Sequence, residues 1–169
     1  MPKPIQLSEP YPTTEDISPD AYSLRIISPA YASSQSELNA ILQYIYHSLF
    51  FERKGYQDIA DTLTSIAISE MHHLDLLGST ILALGASPVY AQYPSTGFNF
   101  YSAKYVAYAC TLKNMIEDDI IGERHAIAQY EKMLKCLKSQ PVIEIISRIL
   151  EDEKLHLKTL EKILLDFKC

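Results

Sequence analysis

Ser69-Glu70-Met71-His72-His73-Leu74 lies within one long helical run and Asp152-Glu153-Lys154-Leu155-His156 within another, and each holds a Glu-x-x-His pair. At 3.6 residues per turn, positions three apart share a face, so each pair presents one carboxylate and one imidazole to the same point. Two further helical runs each offer a glutamate, Glu37 early in one and Glu123 midway along the other. One glutamate from each of two helices, with a Glu-x-x-His pair from each of the other two, is the donor set of a dinuclear carboxylate centre in a four-helix bundle. Hard oxygen donors with imidazole suit two iron or manganese ions, whereas zinc uses fewer carboxylates and magnesium avoids nitrogen. Two cations would also offset the cost of burying four carboxylates.

The runs follow from apolar spacing. Leu38, Ile41, Leu42, Ile45 and Leu49 recur at three and four, which predicts a first helix over 34–53, ended by Gly55. Ile59, Leu63, Ile66, Ala67, Met71, Leu74 and Leu77 predict a second over 56–84, with Gly85 as its stop. Residues 85–101 hold Gly85, Pro88, Pro94 and Gly97 among aromatics and read as a connection. Extended, such a segment crosses about 50 Å, more than the roughly 40 Å length of the second helix, so the helices on either side of it can run parallel. A third helix is expected over 102–138 and a fourth over 141–167, with Pro141 opening the latter. The other two loops are short. The expected fold is all-α: a four-helix bundle of two antiparallel hairpins joined by one long crossover.

The halves repeat. Glu37 is followed seven residues later by Tyr44 and Glu123 seven later by Tyr130, about two turns in each case, so each tyrosine falls on its own glutamate's face. Tyr44 and Tyr130 are therefore candidate donors that orient the carboxylates. Glu153 and Glu70 are candidates for taking and returning protons during catalysis.

Six of the nine prolines fall in residues 1–30, so residues 1–33 are expected to form an extended arm without a useful helix, docked on its own surface or a neighbour's, with the bundle domain over 34–169. The Pro-rich start is unlike a signal peptide, no apolar run reaches the length of a membrane span, and three cysteines without a C-x-x-C imply a reducing, cytoplasmic setting. A net charge of -6 with scattered cations argues against nucleic acid as a partner.

With these residues assembled, the chain resembles the ferritin-like superfamily over about residues 34–166, and within it the rubrerythrin and manganese-catalase branches. The resemblance rests on Ser-Glu37-Leu-Asn-Ala-Ile-Leu-Gln-Tyr44, Ser-Glu70-Met-His-His73-Leu, Gly-Glu123-Arg-His-Ala-Ile-Ala-Gln-Tyr130 and Asp-Glu153-Lys-Leu-His156. It implies that Glu37, Glu70, His73, Glu123, Glu153 and His156 are metal ligands, with Glu70 and Glu153 bridging. It also implies action on hydrogen peroxide or dioxygen, with storage of iron through a ferroxidase centre or a coat-protein role as alternatives. Rubrerythrins usually add a rubredoxin domain with two C-x-x-C motifs, absent here, so an electron donor would be external. They also carry a second glutamate one turn from the first in the third helix, where this chain has Ile120 and Ala126. The arm suggests a homodimer.

The remaining polar residues read as structural. Ser34 and Glu37 form a capping-box pattern. His47, His72 and His125 read as surface or interface histidines, and Glu117, Asp118 and Asp119 as a solvated face. Asp152 reads as one of the exposed charges around Glu153, Cys110 and Cys136 as buried hydrophobes, and Cys169 as an exposed tail thiol.

Overall fold

The computed structural model describes residues 2–166, so Cys169 lies outside the described residues. Five α-helices follow in order: α1 Ala21–Tyr31, α2 Glu37–Arg53, α3 Gln57–Ala83, α4 Leu112–Cys136 and α5 Gln140–Asp166. No strand occurs among the described residues; Ala91 and Phe100 form a single isolated bridge in the crossover. Helices α2 and α3 pack as one hairpin and α4 and α5 as the other. Gly55 and Gly85 adopt positive φ of 83° and 93° where α2 and α3 end, a conformation that costs glycine little.

Two expectations about helices need correction. Residues 21–31 are helical despite Pro29. Asp20 caps this helix by accepting from the Tyr22 N–H, and the proline-free stretch from Tyr22 to Ser28 carries Leu24 and Ile27 inward. Pro29 sits in the last turn, where it removes one backbone bond and leaves most of the helix intact. Leu24, Ile27, Ala30 and Tyr31 join the core formed by Leu77, Ile145 and Ile149, which repays that loss.

The long crossover extends to Thr111, not to residue 101. Ser102 caps only a short 3-10 turn, Ala103–Tyr105, and Thr111 caps α4 by accepting from the Asn114 N–H. Between them the Ala107 N–H donates to Gln43 Oε1 at 3.0 Å and the Ala107 carbonyl faces His47 Nε2 at 2.9 Å. With both backbone groups already paired to α2, that segment gains nothing by continuing the helix.

The apolar interior is divided in two. One cluster gathers Leu77, Ile81, Tyr130, Met133, Ile145, Ile146 and Ile149 with the inward face of α1; the other gathers Tyr44, Phe51, Leu63, Ile66, Met115, Ile116 and Leu160. Helices α3 and α4 run from the second cluster to the first, and α5 runs the opposite way. Every one of these helices therefore crosses the layer between the clusters, and α2 begins in it. That layer holds the polar residues described next. Among the described residues no helix is long and apolar enough to cross a membrane.

The N-terminal arm docks on its own chain. The Ile5 N–H donates to the Ser65 carbonyl at 3.3 Å and the Leu7 N–H to Asp152 Oδ1 at 2.8 Å. Arg148 donates to the carbonyls of Leu7 and Glu9 and lies 4.5 Å over the Tyr11 ring.

Candidate metal centre

The six residues singled out by spacing all lie in the polar layer, buried among the four bundle helices: Glu37, Glu70, His73, Glu123, Glu153 and His156. Glu37 is the first residue of α2, capped not by the expected Ser34 but by Ser36, whose hydroxyl accepts from the Asn39 N–H at 3.3 Å. Released from a capping role, the Glu37 carboxylate turns inward, still favoured by the positive end of the helix.

These residues form two groups whose donor atoms lie within 4.8 Å of one another: Glu37, Glu70, His73 and Glu153 in one, Glu70, Glu123, Glu153 and His156 in the other. Glu70 and Glu153 belong to both. Glu70 Oε2 lies 3.0 Å from His73 Nδ1 while its Oε1 lies 3.0 Å from His156 Nδ1. Glu153 repeats the arrangement, with Oε1 at 3.0 Å from His73 Nδ1 and Oε2 at 4.0 Å from His156 Nδ1. Glu37 and Glu123 close the ends, at 3.7 Å and 3.8 Å from their histidines.

Close approach is not pairing. Glu70 Oε1, Glu123 Oε2, Glu153 Oε1 and His156 Nδ1 are buried without an aligned hydrogen-bond partner. Buried polar atoms are nearly always satisfied, so four that converge on one small volume fit a cation rather than one another. Four carboxylates and two divalent ions would balance in charge, and three oxygens with one imidazole per ion is a donor set for iron or manganese.

In the metal-free chain, protons substitute for that positive charge. Burial, then the Glu70 charge, raises the Glu37 carboxyl well above the ordinary value; burial and Glu153 do the same to Glu123. Burial with the charges of Glu70 and Glu37 pushes Glu153 up to about 8. Burial alone would also raise Glu70, but a hydrogen bond from Glu37 and the contacts with His156 and His73 hold it well below the usual range. Burial would lower both imidazoles, yet Asp152 and the carboxylates raise His73 well above 6.5, and Glu70 and Glu123 raise His156.

The outward nitrogens set the ring tautomers. His156 Nε2 lies 2.7 Å from the Ile5 carbonyl, an acceptor only, so this nitrogen carries the proton. His73 Nε2 lies 3.1 Å from Asp152 Oδ2 and donates likewise. With a metal bound, each ring would be neutral and would present its Nδ1 lone pair to the cluster. Asp152, which reads in the sequence as an exposed charge, is fully buried instead, held by Arg148 at 2.7 Å, the Leu7 N–H and the Tyr11 hydroxyl at 2.8 Å. These partners, with His73 in first place after burial, keep its carboxyl at about 2. Its position immediately before Glu153 and four residues after Arg148 is the signal that could have marked it.

The tyrosines cross over. Tyr44 donates to Glu123 and Tyr130 donates to Glu37, so each serves the other half's glutamate rather than the one on its own helix. A helical side chain leans toward its helix N-terminus, which brings Tyr44 from two turns beyond Glu37 back to the layer, and the antiparallel course of α4 places Glu123 opposite.

A cavity of about 220 Å³ between α2 and α4 reaches Glu37, Glu123 and Glu153, with Tyr44, Tyr130, Ala40, Gly122, Ala126 and Asp119 among its walls. Glu70 does not line it.

Four other expectations about burial fail. His47 and Asp119 are fully buried, with His47 Nδ1 at 2.8 Å from Asp119 Oδ1, which also accepts from Gln43. Cys110 and Cys136 are exposed free thiols, not core residues, because the crossover and the end of α4 lie on the surface. His72 and His125 are exposed as expected, paired with Gln6 and Gln35.

Both ring nitrogens of His47 face acceptors, so the ring carries two protons. Burial would lower its pKa, but Asp119, the Ala107 carbonyl and Asp118 raise it; burial likewise raises Asp119 despite His47 and Gln43. A raised pKa means the folded chain binds protons more tightly than the unfolded one. The His47 contribution is thus complete below 6.5 and is lost as pH rises through its raised value. Relative to His47→Gln/Asp119→Asn, which lacks both charges, wild type should show its largest melting-temperature advantage near pH 6 and a smaller one near pH 9. A gap that is flat or grows with pH in thermal scans would refute this.

A ferritin-like domain model matches residues 32–169, most of the chain. The chain belongs to the ferritin-like family. Within that family, bacterioferritin of Mycobacterium leprae is 26% identical over 129 residues, covering 75% of each chain. Among solved structures, the manganese catalase KatB from Anabaena superposes with a TM-score of 0.82 at 22% identity, over 95% of this chain and 79% of that one. A bacterioferritin from Desulfovibrio desulfuricans, whose diiron site has been captured in different catalytic states, gives 0.72 at 27% identity over 86% and 79%. The ferritin-like bundle is thus common ground; the reaction performed at this chain's paired carboxylate–histidine clusters is a separate question.

Proposed function

We propose that this ferritin-like chain is a dinuclear iron or manganese oxidoreductase acting on hydrogen peroxide or dioxygen. In this reading Glu37 and His73 would hold one ion and Glu123 and His156 the other, with Glu70 and Glu153 available to both. The observation that carries it is the pair of carboxylates shared by two histidine clusters, one of which, Glu153, also lines a cavity with Glu37 and Glu123. Bound ions would supply the change of oxidation state and the polarisation of the substrate oxygen.

The chain's own residues supply the rest. Glu153 lines the cavity and Glu70 does not, so Glu153 is the shared carboxylate better placed to take a proton from substrate and return it. Tyr44 and Tyr130 hold Glu123 and Glu37 in orientation by donating to them. The small side chains of Ala40, Gly122 and Ala126 leave room at the wall for a substrate of few atoms. Exposed Cys110 and Cys136 fit a reducing, cytoplasmic setting. Leu42, Ile45 and Leu49, exposed in line along α2, would suit a homodimer contact.

A second reading, iron storage through a ferroxidase centre, is favoured by the bacterioferritin relatives. Elemental analysis of protein made in medium containing both metals, with peroxide decay followed on the same sample, separates the cases. Roughly two manganese per chain with oxygen release supports a catalase; two iron with peroxide loss only when reductant is added supports a peroxidase with an external electron donor. A large assembly that accumulates iron supports storage. A chain that holds no metal and ignores peroxide would leave the coat-protein role.

A further inference from the structure

The two halves of the centre differ in the residue that precedes each shared glutamate: Asp152 before Glu153, but Ser69 before Glu70. Asp152 reaches across to His73 Nε2 at 3.1 Å. By the same symmetry Ser69 should reach His156 Nε2, yet its hydroxyl is spent on the Ile5 carbonyl at 2.8 Å, and it is that carbonyl which takes His156 Nε2 at 2.7 Å. The N-terminal arm thus stands where the second half lacks an acceptor of its own.

The arm is held there firmly. Ile5 pairs with the Ser65 carbonyl, Arg148 binds the carbonyls of Leu7 and Glu9 and lies against the Tyr11 ring, and the Tyr11 hydroxyl donates to Asp152 at 2.8 Å. Tyr11 also sets its ring edge-on to His73, with centroids 5.9 Å apart. Both histidines are therefore backed by the arm, but unequally. His156 leans on it directly; His73 leans on Asp152, which the arm only steadies.

We propose that the N-terminal segment is a positioning element of the metal centre that makes its two halves unequal, the Glu123/His156 half depending on the Ile5 carbonyl and the Glu37/His73 half on Asp152. This rests on the dinuclear reading given above. Outer partners of a metal-bound histidine fix its ring and tautomer, and losing one commonly costs about 10- to 100-fold in metal affinity. Ser69→Ala removes the hydroxyl that anchors the Ile5 carbonyl against His156, and Tyr11→Phe removes one donor from Asp152; neither changes a proposed ligand.

The test uses the full chain loaded with manganese alone. Release to excess chelator is timed, and occupancy at the two positions is read from anomalous scattering in crystals. Ser69→Ala should release one ion per chain about tenfold faster, emptying the Glu123/His156 position first, and Tyr11→Phe should act mainly on the Glu37/His73 position. Wild type that binds no manganese, and no iron when loaded with iron instead, would defeat the dinuclear reading. Wild type that binds two, with both variants releasing them at the wild-type rate or losing both positions equally, would overturn the arm's role while leaving that reading intact.

Discussion

Glu70→Ala should strip both ions from a chain that otherwise holds two, whereas Glu37→Ala should strip one. The asymmetry comes from the carboxylate oxygens. Glu70 Oε2 faces His73 and Oε1 faces His156, each at 3.0 Å, so truncation removes a donor from both clusters at once. It also removes the one carboxylate that approaches Nδ1 of both imidazoles to 3.0 Å. Glu37 belongs to one cluster only, the one that holds His73 and not His156. Losing it leaves Glu70, Glu123, Glu153 and His156 complete. After dialysis, metal per chain should read near two for wild type, near one for Glu37→Ala and near zero for Glu70→Ala. Equal metal in the two variants would mean that Glu70 does not bridge.

The second large effect is on stability. Without metal, Glu37, Glu123 and Glu153 must be buried with raised pKa values, and four polar atoms remain without aligned partners, a state that costs folding free energy. Ions that bind only the folded chain add stability by mass action, about 4 kcal/mol at a free concentration near 1,000 times the dissociation constant. For a chain of this size each kcal/mol moves the midpoint by roughly 2–4 °C, so one bound ion at that concentration should raise the melting temperature by about 8–16 °C over chelated protein, and two by up to about twice that. Scanning calorimetry with and without chelator measures it. A midpoint indifferent to both metals would exclude a filled centre.

Much of this centre is legible in the amino-acid sequence. The Glu-x-x-His pairs are local: three residues apart on a helix is one face whatever the tertiary fold, so Glu70 with His73 and Glu153 with His156 must point together. Apolar spacing marks the four bundle helices, and loop lengths decide which can be neighbours in a hairpin and which need a crossover. Glycines at 55 and 85 end helices as expected, because tolerance of a positive φ is a property of the residue itself.

What the sequence conceals lies in contacts between distant segments. The buried His47–Asp119 pair joins α2 to α4, and on either helix alone these residues look like ordinary surface charges. Asp152 is enclosed by His73 of another helix and by Leu7 and Tyr11 of the returning arm, and Tyr44 and Tyr130 change partners because α2 and α4 run antiparallel. The helix over Ala21–Tyr31 is hidden by a proline count that weighs composition above the spacing of Leu24, Ile27 and Tyr31. The sequence by itself determined which faces exist, since periodicity and backbone chemistry act within a few residues. Only the tertiary structure decided which faces meet, because burial depends on what the rest of the chain places on top of them.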